Sequence, residues 1–407
     1  MVFAPMQENA GEPRVKRAFS FLKAHWPWLF VIAAIAVAAV RYMPAVFLAG
    51  ITSDSLQAVL FFHDVFEQGH SAHGWVFGGH SDLVPDVSLV FLLQFFLRNG
   101  ILVLQIVGAF FFIGWIVSIT VIHRQCGGRN GAVFMGLLTL YLMAATRGFF
   151  KPHGVGFENL FSVGYHGGTE MMAFVCAALL LRVVGTGGRN AFWWLAALCF
   201  LTTASDALFV VIFPIPMLAA LFVARLRRPS QVRFRPLAGN LVFSTAAGLL
   251  AGRRIFPGIV GGYTHFDAAG AAHAWSALWN GCRPSAGGDF VLFVAIEVLA
   301  LIGGLLLIAG PLARKAGEKL PASIHLLLLY GAGAIAADWG AAILTGDFMS
   351  LGAMRYVRFA LLLPGIALVA WINHRIRWSR VTGALAAIAL PAVIVWFALR
   401  GQPSPDE

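Results

Sequence analysis

The connection from Arg41 to Asp86 carries the densest group of side chains that could do acid–base chemistry or bind a cation. Carboxylates and imidazoles transfer protons in enzymes and are ordinary ligands of divalent cations. The whole chain is 59% hydrophobic and only 12% charged, so such a group between two apolar segments indicates a use for it. Its members are Asp54, Asp64, Glu67, Asp82, Asp86, His63, His70, His73 and His80.

Asp54 is the residue of this connection that is best placed to act as a general base. It lies near the end of the first apolar segment, where a carboxylate is partly shielded from water and can take a proton. The same residue also suits a structural role, because Thr52-Ser53-Asp54 ahead of an apolar helix is a typical N-cap sequence. Both roles stay open, and one side chain can fill both.

Two further pairs in the connection have the side chains of a cation site. His63-Asp64 and His80-Ser81-Asp82 place an imidazole beside a carboxylate, and both groups bind divalent cations. A hydrated outer face would have the same composition, and no tight motif such as HExxH decides between the two. Asp86, which follows Pro85, is predicted to cap the short helix after it.

Basic residues near the ends of the apolar segments suit a phosphate or diphosphate head group. Arg forms paired hydrogen bonds with phosphate, and Lys offers a point charge. The alternative is that their stems lie along the membrane and only their charged heads reach water. We predict donor-phosphate contacts from Arg147, Lys151, Arg253, Arg254 and Arg355, with Arg358 close to the last, and acceptor or metal contacts from His63, Asp64, His80, Asp82, Glu158 and His166.

Two other acids, Asp206 and Asp338, lie at or within apolar runs. Acids inside a membrane are costly and usually face a cavity. Asp206 falls where the chain must turn at the outer face, so the sequence predicts a small cost for it.

Long apolar segments must position these residues. The chain has 407 residues and a mean hydropathy of +0.80, and its apolar runs approach the roughly 20 residues that a helix needs to cross the hydrocarbon core. Backbone groups in lipid must be paired within the segment, so helices are expected. We predict an all-α polytopic transmembrane bundle of about eleven spans, forming one integral membrane domain over residues 1–407. Residues 41–100 form the first outer loop, with interfacial helices at Asp54–Gln68 and Val87–Leu97, and residues 252–288 form a second polar loop.

The distribution of charge predicts the orientation of the bundle. With the N-terminus inside, the inner connections collect most of the 29 Lys and Arg residues, as cytoplasmic loops do. We therefore expect an integral protein of the bacterial inner (plasma) membrane, with the N-terminus cytoplasmic and the C-terminus outside. The net charge of +11 is spread over short connections, which argues against a nucleic-acid partner. Arg253 and Arg254 are predicted to lie on the outer side of the membrane, although most basic residues lie on the inner side. An anionic lipid ligand would explain their position.

Several of these features together resemble the polytopic glycosyltransferases of the C fold type, which include protein O-mannosyltransferases and lipid A aminoarabinose transferases. The features that carry this resemblance are Arg41 at the end of the first span, Asp54 at the start of an aromatic-rich loop, the apolar helix led by Pro85, and Arg355-Tyr356 with FALLLPGIALVAW beyond it. The likeness covers most of the chain as a layout. It implies that Asp54 is the catalytic base or a metal-binding acid and that Arg355 contacts the donor phosphate.

The resemblance implies transfer of a sugar from a polyprenyl-phosphate donor to a lipid or glycan acceptor on the outer face. Basic residues would stabilise the departing lipid phosphate. Such a monophosphate donor does not require a metal, so no cofactor is assigned, and a divalent cation stays open. The alternatives are a transporter or lipid flippase and a non-catalytic assembly subunit. Transporters tend to show internal repeats, and no clear repeat is found in this chain.

Overall fold

The computed structural model describes residues 14–44, 53–72, 75, 82–146, 160–227, 234–255, 268–281, 288–309, 321–345, 357–376 and 379–400. All regular secondary structure within these ranges is helical, which confirms the all-α prediction for them. The helices are α1 (Arg14–Arg41), α2 (Ser53–Phe62), α3 (Ser88–Leu97), α4 (Gly100–Gln125), α5 (Gly131–Thr146), α6 (Gly167–Thr186), α7 (Arg189–Ser205), α8 (Leu208–Ile212), α9 (Pro214–Arg227), α10 (Phe234–Ile255), α11 (Ala268–Gly281), α12 (Gly288–Ala309), α13 (Ala322–Leu344), α14 (Arg358–Arg375) and α15 (Arg380–Arg400). Two π-helical turns, His63–Glu67 and Leu83–Val87, lie between α2 and α3.

Several helices have the length and composition of membrane spans. Five candidate spans occur within the described ranges: Gly100–Gln125, Gly167–Thr186, Leu208–Leu226, Ala322–Leu344 and Val381–Arg400. Shorter apolar helices cover His25–Arg41, Leu83–Leu97, Gly131–Thr146 and Val294–Gly303. The chain is therefore a helical protein of the membrane-integral type. The predicted total of about eleven spans and the orientation of the termini stay predictions.

Two short helices form in the first outer loop, as the sequence predicts. α2 and the π turn after it cover Ser53–Glu67, close to the predicted Asp54–Gln68, and α3 begins at Ser88. Their phenylalanine rings pack together, with centroids 4.8 Å apart for Phe62 and Phe95. Edge-to-face pairs at this distance stabilise a contact beyond the area that they bury. The loop thus returns to the bundle as a packed helical pair, and its placement at the membrane interface stays a prediction.

The candidate span Leu208–Leu226 is interrupted near its start. α8 ends at Ile212, Phe213 leaves helical geometry with φ −129° and ψ −69°, and α9 begins at Pro214. Proline disfavours a helical conformation in the residue before it and suits the first position of a new helix. The one-turn helix α8 is therefore a link that directly follows Asp206.

Helices occupy the described parts of the predicted second polar loop, residues 252–288. Helix α10 continues to Ile255, and α11 forms within the stretch that was expected to be loop. Arg253 and Arg254 therefore lie in the last turn of α10 and not in a loop. Cations at this end of a helix interact favourably with the helix dipole.

Two glycines allow α7 and α10 to pack at very short range. A Cβ atom at Gly248 would lie 2.6 Å from the Phe200 carbonyl oxygen, and one at Gly252 would lie 2.5 Å from the Ala204 carbonyl oxygen. Small residues four apart are a common means of close approach between membrane helices. Since the contacts advance along both helices together, α7 and α10 run in the same direction and their C-terminal ends meet.

This packing predicts opposite outcomes for two glycine substitutions on α10. Gly252→Ala should destabilise the fold by about 1–3 kcal/mol, because the backbone of Ala204 has to move to admit the methyl group. Gly239→Ala is the matched control, since a Cβ there meets nothing within 4 Å. Thermal unfolding in detergent measures both. Equal midpoints for the two variants would contradict the close contact.

Candidate functional site

The π turn Leu83–Val87 joins the first outer loop to the ends of α6 and α7. The Val84 N–H donates to Ser205 Oγ at 2.7 Å, at the end of α7. Asp86 Oδ2 accepts a hydrogen bond from the Gly164 N–H at 3.1 Å, shortly before α6. The predicted capping role of Asp86 is wrong, because this residue lies inside the turn and its carboxylate bonds to Gly164. These bonds bring three separate chain segments to one junction.

Asp82, His166 and Asp206 meet at this junction. One nitrogen or oxygen atom of each lies within 4.8 Å of the others. Asp82 precedes the π turn, His166 precedes α6 and Asp206 follows α7. Asp82 and Asp206 are buried, whereas the His166 side chain keeps 16% of its surface exposed. We call these three residues the acid–histidine cluster; it unites two predicted contacts, Asp82 and His166, with Asp206.

Asp206 orients the imidazole of His166. Nδ1 of His166 lies 2.6 Å from Asp206 Oδ2, and Asp206 Oδ1 accepts a hydrogen bond from the Leu208 N–H at 2.9 Å. With Asp206 ionised, Nδ1 donates to the carboxylate, and Nε2 is the nitrogen that carries the lone pair. A carboxylate that orients an imidazole in this way suits a general base and also suits a metal-binding histidine.

Two members of the cluster have a left-handed backbone conformation. Asp82 has φ 41° and His166 has φ 61°, which costs roughly 1–2 kcal/mol for a residue other than glycine. Hydrogen bonds hold both conformations: Val87 N–H donates to Asp82 O at 2.9 Å, and Glu170 N–H donates to His166 O at 2.8 Å. Asp and His adopt this conformation more often than most residues do, and Arg98 and Asn130 share it away from the cluster, so it does not by itself assign a role to the cluster.

The donor set of the cluster suits a divalent cation. Carboxylates and imidazole together bind zinc, iron and related ions. Donor atoms on opposite sides of such an ion are about 4 Å apart, given bond lengths near 2 Å. The donor atoms of the cluster lie within 4.8 Å of one another, and this upper limit is slightly larger than that spacing. A small inward movement of the side chains would therefore complete a cation site.

A buried ion pair lies one turn deeper in α6. Arg358 Nε donates to Glu170 Oε1 at 2.8 Å, and a terminal nitrogen of Arg358 donates to the Tyr165 carbonyl oxygen. Both charged side chains are only 2% exposed. Glu170 also interacts electrostatically with His166 and Asp206, which connects the ion pair to the cluster. The predicted contact between Arg358 and a lipid phosphate is wrong, because its guanidinium group is buried against Glu170.

His63 and Asp64 bond to partners within their own loop. His63 Nδ1 lies 2.5 Å from Glu67 Oε2, and His70 Nδ1 lies 2.5 Å from Asp64 Oδ1. Trp75 Nε1 donates to Asp64 Oδ2 at 2.7 Å. The hydrogen bonds from His70 and then from Trp75 hold the pKa of Asp64 below its usual value. The structure does not bring this pair into the acid–histidine cluster.

Arg253 and Arg254 lie at the same end of the bundle as the cluster. They directly follow Gly252, which packs against Ala204, two residues before Asp206. Both side chains are exposed. Two exposed cations therefore lie at the end of the bundle that holds the buried carboxylates, and their predicted contact with a phosphate stays a prediction.

Several predicted site residues cannot be placed. Asp54 lies in the first turn of α2, and its side chain is outside what the structure describes, so its roles as base and as cap stay predictions. The other residues outside the described ranges are His80, Arg147, Lys151, Glu158 and Arg355.

Asp206 is the residue whose importance the sequence understates. Its position at a turn predicts a small cost, but its side chain is only 2% exposed and requires partners. The signal that could have found it is a carboxylate at the end of an apolar run. The partner, His166, follows only from the packing of α6 against α7.

Comparisons with models of known protein families, with curated proteins and with solved structures find no match for this chain. A function therefore has to be inferred from the site itself and from the residues that carry the resemblance.

The geometry of the junction predicts the effect of a substitution at Gly168. A Cβ atom there would overlap Asp86 Oδ1 and lie 2.8 Å from Pro85 Cγ. Gly168→Ala should therefore push the π turn away from α6 and lower stability by about 1–3 kcal/mol.

Gly185→Ala is the matched control on the same helix, because a Cβ there meets nothing within 4 Å. Thermal unfolding in detergent compares the two variants. A Gly168→Ala protein as stable as the Gly185→Ala protein would show that the turn does not pack against α6 as described.

Proposed function

We propose that the protein is a membrane glycosyltransferase that moves a sugar from a polyprenyl-phosphate donor to a lipid or glycan acceptor on the outer face of the membrane. The acid–histidine cluster carries the proposal, because a buried carboxylate orients an imidazole at the ends of two apolar helices. An acceptor hydroxyl can give up its proton there beside the lipid phase, where a polyprenyl donor would be held. The family resemblance adds the substrate class.

In the proposed reaction His166 acts as the general base. The acceptor hydroxyl transfers its proton to Nε2, and its oxygen forms a bond to the anomeric carbon of the sugar. The bond between that carbon and the phosphate oxygen breaks, and polyprenyl phosphate leaves with the electron pair. Asp206 stabilises the imidazolium ion that forms. Asp54, the base that the resemblance implies, is the second candidate for the same step.

Cations near the cluster support stabilisation of the leaving phosphate. Arg253 and Arg254 lie at the same end of the bundle, and Arg147, Lys151 and Arg355 are further predicted contacts. Positive charge at the position where negative charge develops lowers the barrier. The cluster has an alternative use: Asp82, His166 and Asp206 would hold a divalent cation, which would supply positive charge next to the donor phosphate. The base would then be Asp54.

Amide substitutions test the proposal directly. His166→Gln and Asp206→Asn should each lower sugar transfer by about 10²–10⁴-fold, the usual effect of losing a general base. Glu67→Gln is the control, since its carboxylate is exposed and bonds to His63. The measurement is mass spectrometry of lipid-linked and surface glycans in a strain that lacks the gene and expresses each variant at equal, folded levels.

Purified protein in proteoliposomes distinguishes the two uses of the cluster. Loss of transfer on chelation, with rescue by added Mn²⁺, assigns the cluster to a cation and the proton to Asp54. Transfer that survives chelation but not His166→Gln assigns the proton to His166. Full transfer by His166→Gln, Asp206→Asn and Asp54→Asn alike would overturn the proposed mechanism.

A transporter or lipid flippase is the second candidate, and the buried charges favour it. Besides Glu170 and Arg358, two further acids are buried inside apolar helices: Asp338 is 1% exposed and Glu297 is 3% exposed. Glu170 Oε2 is buried without a hydrogen-bond partner among the described residues. Intramembrane acids of this kind often serve ion or proton pathways.

Flux measurements separate the two candidates. A transporter moves labelled substrate across the proteoliposome membrane without forming a covalent product, and Glu170→Gln should reduce that movement. The glycosyltransferase forms product whether or not the substrate crosses. Product formation without flux would exclude the transporter.

A further inference from the structure

A large apolar cavity lies toward the opposite end of the bundle from the acid–histidine cluster. Its volume is about 630 Å³, which is in the range of sites that bind small molecules. Helices α13 and α14 form most of its wall, from Ile324 to Ile335 and from Leu363 to His374. At 1.5 Å per residue each wall is about 17 Å long. This length is close to half of the roughly 30 Å hydrocarbon core, which is the depth of one leaflet.

The direction of α14 places the two sites at opposite ends. Its first residue, Arg358, pairs with Glu170 beside the cluster. Its last turn contains His374, which lines the cavity. Sixteen residues separate the two along the helix, which corresponds to about 24 Å. A ligand in the cavity therefore does not occupy the acid–histidine cluster.

The polar groups of the cavity gather at this far end. His123 and His374 both line it and are close enough to interact electrostatically. Asn373 Nδ2 donates to the Arg129 carbonyl oxygen at 2.9 Å, which holds the end of α14 against the turn between α4 and α5. Arg129 and Arg375 do not line the cavity but lie close to these histidines in the chain; both side chains are exposed, and the Arg375 guanidinium lies 5.6 Å from the centre of the Trp371 ring. The cavity is thus an apolar shaft with two histidines at one end, and we call these histidines and the two exposed arginines near them in the chain the rim.

We propose that this cavity binds one acyl chain of a membrane phospholipid whose anionic head group lies at the rim formed by His123, His374, Arg129 and Arg375. The shaft excludes a polar solute, and its length matches a chain of one leaflet. The arginines match a phosphate in charge and geometry. In the predicted orientation the rim lies on the cytoplasmic side, away from the proposed transfer reaction, so this proposal does not depend on that function.

A residue that fills the shaft tests the proposal. Gly331 lines the cavity, and a Cβ atom there meets nothing within 4 Å, so Gly331→Phe projects a ring into open space. Gly340→Phe is the matched control on the same helix, because Gly340 also has nothing within 4 Å and does not line the cavity. The double variant Arg129→Gln with Arg375→Gln removes the rim charge without filling the shaft.

Native mass spectrometry of the full chain in detergent measures binding of phosphatidylglycerol and of phosphatidylcholine with the same chains. The wild type and Gly340→Phe should bind one phosphatidylglycerol about tenfold more tightly than phosphatidylcholine. Gly331→Phe should weaken the binding of both lipids at least about tenfold. The rim variant should bind the two lipids equally.

Three results would overturn the proposal. In the first, Gly331→Phe binds phosphatidylglycerol as tightly as the wild type does. In the second, Gly331→Phe and Gly340→Phe lose the same amount of lipid binding. In the third, the cavity binds polyprenyl phosphate in place of phosphatidylglycerol. The last result would assign the cavity to the donor lipid. Since the readout is binding and not sugar transfer, the failure of this proposal and the failure of the proposed function are distinguishable.

Discussion

A carboxylate buried at the end of an apolar helix has to be hydrogen-bonded, and in this protein the bonds of Asp206 organise one end of the bundle. Its two oxygens bond to His166 Nδ1 and to the Leu208 N–H. The first bond joins α7 to the start of α6, and the second starts the one-turn helix α8. An unpaired carboxylate there would pay a large desolvation cost. The requirement for partners therefore determines where three chain segments meet.

Glycines make this arrangement possible, because they permit backbones to approach at two places around the junction. Gly168 leaves room for Pro85 and Asp86 of the π turn, and Gly252 leaves room for the Ala204 carbonyl. The first approach brings Asp82 to the cluster. The second brings the end of α10, with its two arginines, to the end of α7. The same two glycines thus permit the close packing of the backbones and bring the site residues together.

In the described part of the bundle, the acid–histidine cluster lies apart from the apolar cavity. The acid–histidine cluster and the Glu170–Arg358 pair lie where α6 and α14 begin, and the cavity extends toward the C-terminal end of α14. Such a separation would allow one lipid to support the fold at one leaflet while another lipid reacts at the other. Glu170 and Arg358 lie close enough for their opposite charges to stabilise one another inside an otherwise apolar bundle.

The sequence by itself determined the all-helical character, the presence of membrane-type helices and the short helical pair of the first outer loop, because these follow from local apolar runs and from breaks at Gly, Pro and Asn. It also identified Asp82 and His166 as residues that could bind an acceptor or metal. The tertiary structure decided that these two meet Asp206, that Arg358 pairs with Glu170, and that Arg253 and Arg254 belong to a helix end. Such pairings join residues far apart in the chain, for example 40 positions for His166 and Asp206, and no local pattern encodes which distant helix supplies the partner. Helix–helix packing selects it, through close contacts between small residues and the cost of leaving a buried charge without a partner.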